Sequence, residues 1–263
     1  MDMQKVLVTG ASRGIGRAIA LWLAENGYLV MGTSRSPEAI EENKRNLSYV
    51  RLDITDDGSI TDCLNKCGDI DILINNAGQS LIGPVEDTPL SACRAVFDVN
   101  LFGLIELTRK ILPGMRHRRY GYIVNIGSMA GRFAIPFQSV YSATKFAIEG
   151  FSWSLRNEVM KYGIRVVVIE PNDIRTSIEP SVYVRAASDY SADIRKVKKM
   201  REENMKNAPG PEVVARRVYQ ILQKKNPRPF YAVGRFGPAL VFLKRFISDR
   251  AVERMLKSRY GIT

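Results

Sequence analysis

Tyr141 and Lys145 stand four residues apart in Tyr141-Ser142-Ala143-Thr144-Lys145, a helical stretch that places them one turn apart on the same face. A phenol normally keeps its proton until a pH of about 10. A neighbouring positive charge, such as an ammonium, favours the phenolate and lowers that value, so the proton becomes exchangeable with a substrate oxygen. Ser128 precedes Tyr141 by 13 residues, just after a strand-like run ending at Ile126. A second segment, Thr9-Gly10-Ala11-Ser12-Arg13-Gly14-Ile15-Gly16, lies between a short apolar run and the start of a helical pattern. Glycines there let the backbone turn sharply and approach a pyrophosphate, which the helix N-terminus stabilises. The spacing is Gly-x-x-x-Gly-x-Gly, and a purely structural glycine turn is the competing reading. Tyr-x-x-x-Lys arises by chance on many helices. Its combination with Ser128, the glycine loop and Asn75-Asn76-Ala77-Gly78 does not.

The second apolar run ends in Met31-Gly32-Thr33-Ser34-Arg35, with no Asp or Glu to accept bonds from a ribose 2′-hydroxyl. Ser34, Arg35 and Arg13 stand there instead. Guanidinium groups make charge-assisted, bidentate contacts with phosphate, so NADP(H) is the expected cofactor. The alternative is that both arginines merely decorate the surface.

Short β-branched runs alternate with amphipathic stretches, the pattern of βαβ units and a parallel sheet. Strands are expected at 5–9, 28–33, 48–52, 72–75, 122–126, 165–169 and 230–233, several of them wholly apolar as befits strands covered on both faces. Helices are expected at 14–26, 60–66, 89–112, 139–162 and 211–225. The segment 56–68 looks about one turn short for its place. The expectation is an α/β fold: one doubly wound Rossmann-type domain over 1–263, with a mainly parallel seven-stranded sheet and helices on both faces. Residues 176–208 are polar and weakly patterned, too long for an ordinary connection, and are read as a helical substrate lid.

The chain has 263 residues, 45% hydrophobic and 25% charged, enough to bury a core without staples. Its cysteines, Cys63, Cys67 and Cys93, lack metal or disulfide spacing, and Cys63 and Cys67 are expected to pack as small hydrophobes. With His117 as the only histidine, expected exposed in a polar turn, no metal site is expected. The net charge of +12 is concentrated in 195–263, which holds 18 Lys/Arg against 5 Asp/Glu. A solvated surface and the steering of anionic partners both fit. Aromatics are not interleaved with the cations as a nucleic-acid stacking platform requires, so no nucleic-acid partner is expected. Residues 236–263 form an amphipathic basic extension, with Leu240–Tyr260 at helical spacing. They pack on their own domain or a partner subunit, or else touch a membrane or gate a hydrophobic substrate. The start shows no targeting core, and a cytoplasmic protein with peripheral membrane contact is the expectation.

Taken in order, these motifs resemble the short-chain dehydrogenase/reductase family of the classical type, from about Lys5 to Thr176. The stretch from Asn75 through Gly83-Pro84 to Phe102, with Phe236 onward, looks like its 17β-hydroxysteroid dehydrogenase-like branch. The resemblance implies a catalytic tetrad of Asn100, Ser128, Tyr141 and Lys145. Tyr141 would exchange the proton, Ser128 orient the carbonyl, Lys145 hold the ribose, and Asn100 keep a water that links Lys145 to solvent. Cofactor contacts would come from Gly10, Ser12, Arg13, Gly14, Ile15, Gly16, Ser34, Arg35, Asp53 and Ile54 near adenine, Asn76, Ala77, Gly78, and Pro171, Ile174 and Thr176. Asn172 replaces the family's glycine; a left-handed asparagine would preserve the turn and bring its side chain near the substrate.

The leading function is NADP(H)-dependent hydride transfer to or from a bulky hydrophobic, steroid- or lipid-like ketone or alcohol, by a homodimer or homotetramer. Reduction of a 3-oxoacyl group on acyl carrier protein or CoA is the alternative, and a non-catalytic NADP(H)-binding regulator the third.

Overall fold

The computed structural model describes residues 3–41 and 44–262. In chain order it contains β1 (Lys5–Val8), α1 (Gly14–Glu25), β2 (Leu29–Ser34), β3 (Leu47–Arg51), α2 (Asp57–Cys67), β4 (Ile72–Asn75), β5 (Leu81–Ile82), α3 (Leu90–Phe97), α4 (Gly103–Arg118) and β6 (Gly121–Ile126). Then follow α5 (Ser139–Val159), β7 (Ile164–Asn172), β8 (Ser181–Val182), α6 (Ser191–Lys206), α7 (Glu212–Leu222), β9 (Phe230–Gly234), α8 (Gly237–Leu243) and α9 (Asp249–Tyr260).

All seven expected strands join one sheet in the order β3-β2-β1-β4-β6-β7-β9, and every pair is parallel. The fold is α/β and Rossmann-like. Alternation within each strand supplies two cores. Val6, Val8, Ile72, Ile74, Val124 and Ile169 point to the face covered by α1 and α7. Leu7, Leu73, Ile123 and Val166 point to the face covered by α2, α4 and α5. The chain reverses its winding between β1 and β4, and the strands' C-terminal ends open a crevice at such a switch point.

Several helical boundaries differ from expectation. The stretch expected as one helix over 89–112 starts at Leu90, passes through a π-helical turn at Asp98–Phe102 and continues to Arg118. His117 is therefore in the last turn of α4, exposed but helical, and the helix stops where Arg119 adopts φ 53°. The short segment after β3 still makes an 11-residue α2, because Asp56 caps Ser59 N at 2.5 Å and Gly68 ends it at φ 65°. Cys63 and Cys67 are buried in it. The C-terminal amphipathic stretch is two helices rather than one, broken between Leu243 and Asp249. The polar segment 176–208 is more ordered than its pattern suggests: β8 pairs with β5, and α6 fills most of the remainder.

Two buried polar devices fix the crevice floor. Asn75 Nδ2 donates to Thr108 Oγ1 and Asn125 Oδ1, and Asn125 Nδ2 donates to Ser152 Oγ, which ties β4 and β6 to α4 and α5. Thr9 Oγ1 accepts from both Asn76 N and Ala77 N at 2.9 Å. Thr9→Val keeps the shape and strands two half-buried donors, so unfolding free energy should fall by about 2 kcal/mol. A urea titration reads this as a lower midpoint at unchanged slope; an unmoved midpoint would contradict it.

Candidate active site

Gly10 leaves β1 with φ 65° and Gly14 opens α1 with φ 57°, backbone conformations that side chains resist. A Cβ on Gly16 would collide with Gly10 O and Asn76 Nδ2. Asn76 Nδ2 in turn donates to Thr9 O (2.9 Å) and Gly10 O (3.1 Å), so it pins the loop from β4. At the head of α1, Arg13 makes no side-chain cap and the first turn holds no acid. The helix thus presents its free N–H groups and positive dipole end uncompensated, which suits an anion. Thr176 sits across from Gly14, 3.4 Å from where its Cβ would be.

Ser128 follows β6, and its Oγ accepts from Ala130 N at 3.1 Å while hydrogen-bonding with Tyr141. Tyr141 and Lys145 project from α5. The Lys145 ammonium is buried, donates to Ile126 O at 2.9 Å and lies 5.7 Å from the centre of the Tyr141 ring. Asn100 is buried in the π-helical turn, a deformation that recurs at functional sites. Its Nδ2 donates to Gln79 O and Thr144 Oγ1, and its Oδ1 accepts from Gln79 N. Both side-chain donors are thus committed to protein groups.

Burial raises the Tyr141 hydroxyl above its ordinary value, opposed by a hydrogen bond with Ser128 and by the charge of Arg201. Burial also pushes Lys145 down to about 8. Nearby, Arg132 Nε bridges Glu170 Oε1 (2.6 Å) and Glu149 Oε2 (3.2 Å), and burial holds the Glu149 carboxyl well above the usual carboxylate range.

Of the expected residues, Ile15, Asn76, Gly78, Ser128, Tyr141, Lys145, Pro171, Ile174 and Thr176 line one cavity of about 200 Å³. Ser12 and Ser34 line a neighbouring groove beside β2, where the cation is Arg17 and an acid, Glu41, also stands. Arg13 and Arg35 are exposed and do not line that groove. Arg17 is one turn along α1 from Arg13, and i,i+4 spacing is the signal that would have found it. Asp53 Oδ1 is taken by Thr55 N and Oγ1, which lower its carboxyl, with Arg35 and Arg51 adding to the effect. Ile54 is buried beneath Gly103, and Ala77 packs against Gly10. Asn172 is not left-handed: it ends β7, its Nδ2 donates to Arg235 O at 2.6 Å, and the positive φ falls on Asp173 (41°). The cavity also includes Gln138, Asp173, Arg201 and Tyr260, which the sequence did not single out. Arg201 and Tyr260 reach it from α6 and from the end of α9, a placement that only the tertiary fold decides. Among the described residues no group of three or more His, Cys, Asp or Glu could hold a metal.

Residues 4–185 match the family model described as short chain dehydrogenase. The chain is 32% identical over 274 residues to 3-ketodihydrosphingosine reductase of Bacteroides thetaiotaomicron, covering all of both proteins. It superposes on a short-chain dehydrogenase from Streptomyces avermitilis with a TM-score of 0.83 and 31% identity, covering 99% of this chain and 98% of that one. A closed form of serine dehydrogenase complexed with NADP+ gives a TM-score of 0.73 at 28% identity, covering 88% and 95%.

The Lys145 shift carries a stability prediction. Its folded value, about 8, lies below the ordinary 10.5, so the unfolded chain binds more protons between those limits. Stability from this group is therefore lowest below pH 8 and rises toward pH 10.5. Lys145→Met should be more stable than the parent at pH 7 by about 3 kcal/mol, and the difference should shrink as pH approaches 10.5. Denaturant titrations across that range check it; a variant less stable at pH 7 would refute it.

Proposed function

The chain belongs to the short-chain dehydrogenase family, an oxidoreductase family acting on CH–OH or carbonyl groups, and from that premise we propose that it is an NADP(H)-dependent reductase of a bulky, lipid-like ketone. The observation that carries this reading is the convergence of Ser128, Tyr141 and Lys145 on one cavity. That cavity has polar groups at its base, while Ile135, Ile178, Val197, Met200 and Met205 supply an apolar wall. An apolar cavity with a few convergent polar groups suits a hydrophobic molecule with one reactive oxygen.

When bound, a nicotinamide cofactor supplies the hydride for reduction or accepts it for oxidation. The open head of α1, the Gly10–Gly16 loop and Thr176 fit its pyrophosphate, and the Lys145 ammonium fits its ribose hydroxyls. In reduction the Ser128 hydroxyl donates a hydrogen bond to the substrate oxygen and holds it beside Tyr141. Tyr141, kept protonated by burial, passes its proton to that oxygen as negative charge develops there. The Lys145 ammonium then stabilises the tyrosinate, which recovers its proton through the buried polar chain beside Asn100. Segment 176–208 acts as the lid, contributing the apolar wall and Arg201.

Ser34 and Arg17, which line the groove beside β2, support NADP(H), with the exposed Arg35 next to Ser34 and Arg13 next to Ser12 in the chain; the NADP+ complex of the serine dehydrogenase supports it too. The name of the Bacteroides relative supports a lipid-like rather than steroid substrate, in place of the 17β-hydroxysteroid branch. Arg201 inside the cavity favours a second reading, reduction of an anionic 3-oxoacyl carrier substrate. We further propose a cytoplasmic homodimer or homotetramer, joined through the face that exposes Phe102, Phe146 and Trp153.

Tyr141→Phe should retain NADPH binding and lose turnover by about a hundredfold or more. NADPH should bind about ten- to a hundredfold ahead of NADH, as charged contacts to one phosphate allow, and Arg35→Asp should erase that order. Neutral bulky ketones should show a salt-independent KM, whereas an anionic acyl substrate would lose affinity as salt rises. Steady-state NADPH oxidation with matched neutral and anionic ketones decides between the readings. A Tyr141→Phe rate within a factor of about two of the parent would move the proton donor elsewhere.

A further inference from the structure

Gly237–Leu243, α8, is a helix without a polar side. Its inner residues Leu240 and Val241 pack, with Ile247, Val252 and Leu256, against Met129 and Phe133. Its outer residues are equally apolar. Phe242 and Leu243 are 62% and 47% exposed, Phe236 just before the helix is 63% exposed, and Phe246 just after it is 72% exposed. The Phe242 and Phe246 rings lie 5.2 Å apart, so the outer face is continuous and not a scatter of single side chains. A helix apolar all round is normally enclosed by protein or lipid, and an exposed apolar patch of this kind marks an interaction surface.

Charge selects the occupant. Between Glu212 and Asp249 the chain has eight Lys/Arg and no Asp or Glu. Arg235 and Arg245 flank the aromatic face and are exposed, and Arg250 and Arg254 continue the exposed cations along α9. A second copy docked through the same patch would set these cations against their own counterparts. An anionic lipid surface neutralises them and takes aromatic rings into the boundary between headgroups and acyl chains. Among the described residues no helix is long and apolar enough to cross a membrane, so the contact is one-sided.

The cluster beneath the patch shares a residue with the cavity wall. Met129 belongs both to the cluster beneath α8 and to the cavity wall, and Tyr260, ending α9, lines the same cavity. We propose that α8 and its flanking phenylalanines seat the protein on an anionic lipid surface, which brings the cavity close to the acyl layer that holds a lipid-like ketone. The placement of a ketone there rests on the proposed activity; the lipid contact does not.

Flotation of the full-length protein with phosphatidylcholine vesicles, with and without phosphatidylglycerol, tests the contact directly. The protein should float with the anionic vesicles and partition at least about tenfold less onto phosphatidylcholine alone. Phe242→Ser combined with Phe246→Ser should reduce anionic partitioning by about tenfold or more, with NADPH oxidation on a water-soluble ketone unchanged. Arg245→Glu, which leaves the aromatic face intact, should weaken binding only to the anionic vesicles. A parent protein that stays at the bottom of the gradient overturns the proposal, as does a double variant that floats as well as the parent. A double variant that sediments as a smaller species in the absence of lipid assigns the patch to a second copy and overturns it too. Turnover with no ketone at all would remove the proposed activity while leaving the flotation result standing.

Discussion

The Lys145 ammonium is charged, almost wholly removed from water, and bonded by one donor to the last carbonyl of β6. Burying a charge costs several kcal/mol in real proteins, so everything around it must be held tightly enough to keep that cost in place. Asn75, Asn125 and Ser152 lock α5 to the central strands from below. Asn100, reaching out of the π-helical turn, fastens Thr144 and the backbone of Gln79 beside it. The same burial raises Tyr141 and lowers Lys145, so a pair with ordinary solution chemistry becomes an acid beside a weakened cation. One desolvated pocket accounts for both shifts.

Strands were the most legible part of the sequence. Runs such as Lys5–Val8 and Ile72–Asn75 are short and apolar because both sheet faces are covered, and their alternate residues feed the two cores. The candidate site motifs were legible because glycines at a strand-to-helix turn and a Tyr–Lys pair at i,i+4 are local arrangements. Features that depend on distant packing were not legible. A π-helical turn at Asp98–Phe102 has no composition of its own, since it is one displaced hydrogen bond in an otherwise helical run. Asn172 read as a left-handed glycine substitute, yet the strand simply continues through it and the turn passes to Asp173. The sign of the Tyr141 shift required knowing that burial outweighs its neighbours. Arg17 is the exception, since its i,i+4 spacing from Arg13 is a local signal.

A second buried ionic group joins the same elements from the other side. Arg132 follows Ser128 by one short turn, Glu149 lies one turn beyond Lys145, and Glu170 immediately precedes Pro171. Arg132 also stacks on Phe230 of β9, 4.3 Å from the ring centre, and its carbonyl accepts from Lys244 Nζ at the end of α8. Gly131 is needed here, because a Cβ would strike Glu149 Oε1. Through this cluster the serine turn, the helix of Tyr141, the end of β7 and the C-terminal extension share one set of contacts.

The pairing of β5 with β8 joins Leu81 to Ser181, residues about 100 positions apart in the chain. Contacts at such separation form only after the intervening chain has been drawn together, and the entropy of that closure is lost before any contact repays it. Every strand of the main sheet except β9 and both of its central crossovers lie before Ser181, so the ladder that carries segment 176–208 can close only on a floor already built. Two residues per strand give it little depth of its own. The covering of the cavity is thus the late, shallow end of the folding sequence, and the part expected to exchange its amide protons soonest while the sheet beneath stays closed.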